Sequence, residues 1–221
     1  MENTSLKGKA SYGFAAVGSY MVAGITQSYL MYFFTDILII PSAFVMMLMI
    51  VARVWDALND PMMGVIVDRT STKYGKMRPY VLIGSFLMLV TTIVLFMPLT
   101  GAPTMFKMIF AAVSYIIFGM AYTLNDVPAM GLMSVATPNS DERASLLSFY
   151  VTVGSVGSLL PVGLLTIFQS FIPEKYVYFA MSIFVGIITS AAYLTLFKNS
   201  KERFSTHTEK NCRARYDKGC G

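Results

Sequence analysis

Six long apolar stretches separated by short polar connections leave this chain of 221 residues few options other than a bundle of membrane-crossing helices. They run from about Tyr12 to Phe34, Ser42 to Val67, Pro79 to Leu99, Thr104 to Met130, Ala144 to Phe171 and Tyr176 to Phe197. Composition supports the reading: 13% of the residues are charged and 55% are hydrophobic, whereas soluble domains carry about 25% charged residues. The first stretch is too long for a signal-peptide core and lacks a small-residue cleavage site, so it reads as a retained helix. The expected fold is an all-α membrane protein with six transmembrane helices over residues 1–198. Residues 199–221 read as a polar cytoplasmic tail, disordered or a shortened central loop.

Charge distribution sets the orientation and removes one class of partner. The net charge of +5 comes from connections on one side, as membrane topology requires, and does not mark a nucleic-acid surface. Of the seventeen basic residues, only Lys107 and Lys175 fall on the opposite face, and Arg53 lies within the membrane. Both termini are therefore expected in the cytoplasm of a cell (inner) membrane protein that spans repeatedly. Cys212, Cys220 and His207 all lie in the tail. Eight residues apart in an unpatterned tail, the two cysteines read as unpaired thiols in a reducing cytosol, with metal ligands or a disulfide as the alternatives.

Candidate function begins with polar residues where none belong. Arg53, Asp56, Asn59 and Asp60 interrupt the second span, IVARVWDALNDPMMG. A charge at that depth is costly and faces a partner or a watery path. At roughly 100° per residue the four fall within an arc of about 120° on one helix face. Two carboxylates and an amide oxygen supply hard ligands for a small cation such as Na⁺. A proton is the alternative occupant, since carboxylates this close resist ionising together. Pro61 frees a backbone carbonyl one turn earlier, a further ligand. The competing reading is a static ion pair that fastens helices.

A second polar spot ends the fourth span, AYTLNDVPAMG, where Tyr122 precedes Asp126 by one turn. A carboxylate beside an aromatic ring is a common way to hold a sugar; a carboxylate wetted at an interface is the alternative. The connection from Gly64 to Pro79, with Asp68 and Arg69 at its start, reads either as an ordinary basic loop or as a lock on neighbouring helix ends. Gly154 and Ser158 form a small-xxx-small step for close helix packing, and Pro161 follows as a bend.

These segments together resemble the N-terminal half of the glycoside–pentoside–hexuronide:cation symporters, the melibiose-carrier group of the major facilitator superfamily. The likeness runs from SYGFAAVG at Ser11 through YLMYFFTD, VARVWDALNDPMMGVIVDRT and KMRPYVLIG to GMAYTLNDVP, and thins beyond Arg143. It implies a cation site at Asp56, Asn59, Asp60 and Thr123, with Asp56 and Asp60 as the Na⁺ ligands if sodium is the coupling ion. It implies sugar contacts from Asp126 and Tyr122, and a cytoplasmic gate at Arg143; Arg53, read as the charge that neutralises an empty cation site, and Asp68 and Arg69 of the basic connection complete the expected charge network. The sequence departs from the family at the second sugar aspartate, replaced by Tyr20, at a lysine replaced by Ser19, at an aromatic platform replaced by Met130, and at a helix-5 arginine replaced by Val151. Melibiose is thus not the expected substrate; another glycoside, pentoside or hexuronide is.

The resulting expectation is Na⁺- or H⁺-coupled sugar symport by alternating access, with no other cofactor. Family members pair two six-helix halves. A chain of one half calls for a second half or a second copy, and its tail reads as the product of truncation or a frame shift near His207. A non-transporting fragment or membrane scaffold is the alternative. Enzyme activity has no support: an intramembrane aspartyl protease brings its carboxylates from two helices, and an i, i+4 pair on one helix does not.

Overall fold

The computed structural model describes residues 6–70, 77–134 and 139–199, and among them it contains six long helices and no strand. Lys73, Lys76, His207, Cys212, Cys220 and the rest of the tail from residue 200 lie outside the described residues, as does the side chain of Asp68. The helices are α1 (Leu6–Tyr32), α2 (Ser42–Arg69), α3 (Arg78–Leu95), α4 (Thr104–Ser134), α5 (Ser140–Gln169) and α6 (Glu174–Asn199).

Local chemistry explains the boundaries. Proline in the first turn opens α3, where its missing N–H costs nothing. Helix α3 stops at Leu95, short of the expected Leu99, because Pro98 disfavours a helical conformation just before it. The Asn139 side chain caps α5 by accepting from the Asp141 N–H at 3.0 Å, and Asp141 and Glu142 add negative charge to that helix start. Helix α5 therefore begins a turn before the expected Ala144. The segment expected to turn at Asp36 instead continues α1 as a π-helical turn, Phe33–Ile37, with Phe33 and Phe34 both fully buried.

Helices α2 to α6 are long and apolar enough to cross a membrane. Helix α1 is as long, but its face of Gly, Ser and Thr is more polar because it lies inside the bundle, against α5 and α6. Contact there is backbone to backbone. A Cβ built on Gly24 would lie 2.5 Å from the Ser158 carbonyl oxygen, and one on Gly157 would lie 2.9 Å from the Val17 Cα. The small residues of α5 are thus used for packing, although Gly154 itself houses the Tyr20 ring rather than another backbone.

Helix α4 plays the matching part among α2 and α3. The five most extensive helix contacts are α1 with α5 and α6, α4 with α2 and α3, and α3 with α6. Exchanging the first three helices for the last three maps this set onto itself, the pattern of an inverted repeat. Helices α1 and α4 are therefore equivalent and central. Helices α2 and α5 are the most exposed, with 22% and 17% of their most apolar windows buried against 44% in α6.

Two ends of the bundle are held by different chemistry. At the end where α1 begins and α6 finishes, Arg78 Nη2 donates to the Phe197 carbonyl at 2.7 Å and lies over the Phe197 ring. Asn199 donates to Ser11 Oγ at 2.7 Å close by. At the distal end an aromatic cluster joins α1, α3 and α6, with Phe33 and Phe96 ring centres 5.3 Å apart. Tyr32 donates to Glu174 there at 2.7 Å. Lys107, counted on the outer face by its sequence position, is buried in the first turn of α4.

Candidate functional site

Between α1, α2 and α4 lies a cavity of about 450 Å³. Helix α2 contributes Arg53, Asp56 and Asp60, α1 contributes Thr26 and Gln27, and α4 contributes Tyr115, Tyr122 and Thr123. These residues meet because each recurs at helical spacing on one face: 53, 56 and 60 on α2, and 115, 119, 122 and 123 on α4. The charges on Arg53 and Asp60 both act on Asp56.

Two contacts join α2 to α4 here. Thr123 Oγ1 donates to Asp60 Oδ1 at 2.8 Å, with Thr123 itself 4% exposed. One helical turn away, Asp56 Oδ1 sits 3.0 Å from where a Cβ on Gly119 would be. The bare α4 backbone at Gly119 therefore makes room for the Asp56 carboxylate. Asp56, Asp60 and Thr123 present hard oxygens to one space, a set that suits a small hard cation.

Asn59 is placed differently. It lies at the edge of the polar arc, 6% exposed, off the cavity wall, and its Nδ2 is buried with no hydrogen-bond partner. Of the four residues read as one face, three open on the cavity and the fourth points into the protein.

Tyr122 lines the cavity, but Asp126 lies one turn further along α4, beyond its wall. There Ser19 Oγ donates to Asp126 Oδ1 at 3.2 Å and lies 3.4 Å from the Tyr122 hydroxyl. Ser19 is 1% exposed; its one proton can go to only one of the two, while its lone pairs stay open to a proton from the Tyr122 hydroxyl. Tyr150 and Tyr193, both fully buried, back this polar knot. Tyr20 packs edge-on against Tyr150, with ring centres 6.2 Å apart. Its seat is Gly154, where a Cβ would come within 2.6 Å of the ring. Asp60 is near enough to Asp126 for their charges to interact.

The expected charge network is divided. Arg53 belongs to the cavity, whereas Arg69 at the end of α2 and Arg143 in the first turn of α5 are exposed at the end that holds the start of α1. Arg78, in the connection read either as an ordinary basic loop or as a lock on neighbouring helix ends, makes the cross-helix bond at that end. Sequence reasoning also passed over Gln27, Tyr115 and Gly119. A signal existed for the last two: both fall on the stripe that carries Thr123. Gln27 is the one strongly polar, uncharged side chain in the later part of α1, which by itself names no partner.

A family model described as MFS/sugar transport protein matches residues 11–217. The chain is 34% identical over 204 residues to the uncharacterized symporter YjmB of Bacillus subtilis, covering 90% of this chain and 44% of that protein. It is 31% identical over 209 residues to the putative glycoside/cation symporter YagG of Escherichia coli, covering 93% and 45%. Identity to the isoprimeverose transporter of Lactiplantibacillus pentosus is 28% over 201 residues, covering 89% and 42%. The chain spans less than half the length of these relatives. Their names are those of transporters, not enzymes.

Proposed function

The chain belongs to the MFS/sugar transport protein family, within its glycoside–pentoside–hexuronide:cation symporter group, and on that premise we propose that it carries the cation site and part of the sugar site of a cation-coupled symporter. It is a multi-pass membrane protein, and we place it in the cell membrane with both termini cytoplasmic, as its basic residues favour. The observation that carries the reading is the Thr123–Asp60 bond, which joins α2 to α4 beside Asp56 and one residue from Tyr122.

In this account Na⁺ or H⁺ occupies Asp56 and Asp60, with Thr123 as the third oxygen and Asn59 able to join by turning. The sugar lies against Tyr122 and reaches Asp126, where Ser19 and Tyr20 stand in place of the family's charged residues. A glycoside is the substrate class, supported by the names glycoside/cation symporter and isoprimeverose transporter among the relatives. Cation binding and sugar binding strengthen one another reciprocally because Asp60 and Tyr122 line one cavity. Arg53, Asp56 and Asp60 are poor company for lipid, so the account includes a covering partner: a second six-helix half or a second copy of this chain. Rocking of the two units then exposes the site to each side in turn, with Asp68, Arg69 and Arg143 at the cytoplasmic gate.

The test is glycoside uptake into vesicles holding this chain, alone and with the second half of a relative supplied alongside. Uptake stimulated by a Na⁺ or proton gradient and abolished by Asp60→Cys is the expected result. Equal stimulation in the Asp60→Cys chain would refute the site.

A further inference from the structure

The distal end of α1 carries two features that the cavity does not explain. The first is Ile39, with φ of 58°, the one non-glycine residue in the left-handed region among the described residues. A β-branched side chain there is a genuine outlier, and such a residue persists only where its surroundings over-determine it. The second is Lys107 on α4. It is 6% exposed, and its Nζ donates to the Leu38 carbonyl at 2.9 Å. A lysine so buried is rare unless its charge is met.

The two features explain each other. The π-helical turn closes with Leu38 N–H on the Phe33 carbonyl at 3.0 Å, and Ile40 N–H reaches back to the Phe34 carbonyl at 2.9 Å. The left-handed step at Ile39 makes that second bond possible. It also turns both neighbours inward: Leu38 is 0% exposed and Ile40 3%, while Ile39 is 73% exposed. The Leu38 carbonyl, left at the carboxyl end of the helix, is where the helix dipole favours a positive charge. Lys107 supplies it from the neighbouring helix.

We propose that Lys107 is a clasp whose bond to the Leu38 carbonyl holds the strained Ile39 turn and pins the distal end of α1 to α4. These are the two helices whose middle turns, at Thr26 and Gln27 and at Tyr115 to Thr123, wall the cavity on either side. With the clasp closed, their spacing at the distal end is set. When it opens, Ile39 relaxes to an ordinary backbone conformation and that end of α1 moves away from α4. The clasp is a conformational device of the bundle itself and does not depend on the transport reading.

The experiment is amide hydrogen exchange on the purified full chain in detergent, read by peptide. Lys107→Met is expected to speed exchange of residues 33–41 by about tenfold or more, leaving α3 unchanged. Glycine adopts the left-handed conformation without strain, so Ile39→Gly added to Lys107→Met returns that segment to within about threefold of the parent. Exchange of 33–41 within about twofold of the parent in Lys107→Met would overturn the clasp. Where Lys107→Met does not fold, the double variant decides. A folded double variant supports the clasp, because relief of the strain has replaced it, and an unfolded one overturns it.

Discussion

Replacing Gly119 by alanine tests whether the cation stands at Asp56. The new methyl would meet Asp56 Oδ1 at 3.0 Å, whereas comfortable contact begins at about 3.4 Å, so the carboxylate must recede by about 0.4 Å. A hard cation of sodium's size sits about 2.4 Å from such an oxygen. At an effective dielectric constant of about 20, lengthening that distance from about 2.4 to about 2.8 Å removes about 1 kcal/mol of attraction. Cation affinity should then fall about fivefold. A proton bonds to one oxygen and is held without the rest of the ligand set, so Gly119→Ala also shifts preference from Na⁺ towards H⁺. Calorimetric titration of the purified chain with Na⁺ at fixed pH measures the effect. Gly163→Ala is the control, since a Cβ there meets nothing within 4 Å. Unchanged affinity in Gly119→Ala, or the same loss in the control, would refute the reasoning.

Three further outcomes follow from other contacts. Thr123→Val keeps the shape of the side chain but removes the donor to Asp60; a bond to a charged group contributes about 1.5–3 kcal/mol, so Na⁺ binding should weaken about tenfold or more, and Thr123→Ser should retain it. Gly24→Leu cannot be accommodated 2.5 Å from the Ser158 carbonyl, and chromatography in detergent should show loss of the folded peak, whereas Gly64→Leu, where a Cβ meets nothing within 4 Å, should keep it. Arg78→Lys loses the flat stacking on Phe197 along with the directed bond to its carbonyl, so the chain should melt earlier by the equivalent of about 1 kcal/mol. An unchanged melting temperature would remove Arg78 from the account.

Most of the fold was legible because lipid imposes a single rule, that each apolar run of sufficient length be a helix with its own hydrogen bonds satisfied. All six helices lie where the apolar runs predict them. What escaped was decided by contacts between distant segments. Lys107 stands at the outer start of the expected fourth span, and its partner is a main-chain carbonyl 69 residues away, which no side-chain pattern announces. The continuation of α1 past Tyr32 depends on burying Phe33 and Phe34 together. At the site, spacing on α2 grouped Arg53, Asp56 and Asp60, and the facing stripe on α4 was legible at Tyr122 and Thr123. Asn59 sits at the edge of that arc, where a small rotation of the helix decides between cavity and core. That Asp126 is held by Ser19, beyond the cavity wall, follows from the crossing of α1 and α4 rather than from either sequence alone.

The central claim is that one cavity couples a cation to a sugar, and equilibrium binding tests it most directly. Labelled glycosides should be titrated against the purified chain with and without Na⁺ and across pH, using Asp60→Asn and Asp126→Asn alongside the parent. Coupling of ordinary size, about 1–3 kcal/mol, corresponds to a cation-induced gain in sugar affinity of about 5- to 150-fold. The account predicts such a gain in the parent, none in Asp60→Asn, and loss of sugar binding with cation binding retained in Asp126→Asn. Sugar binding that is indifferent to both Na⁺ and pH, or a cation effect that survives in Asp60→Asn, would contradict it.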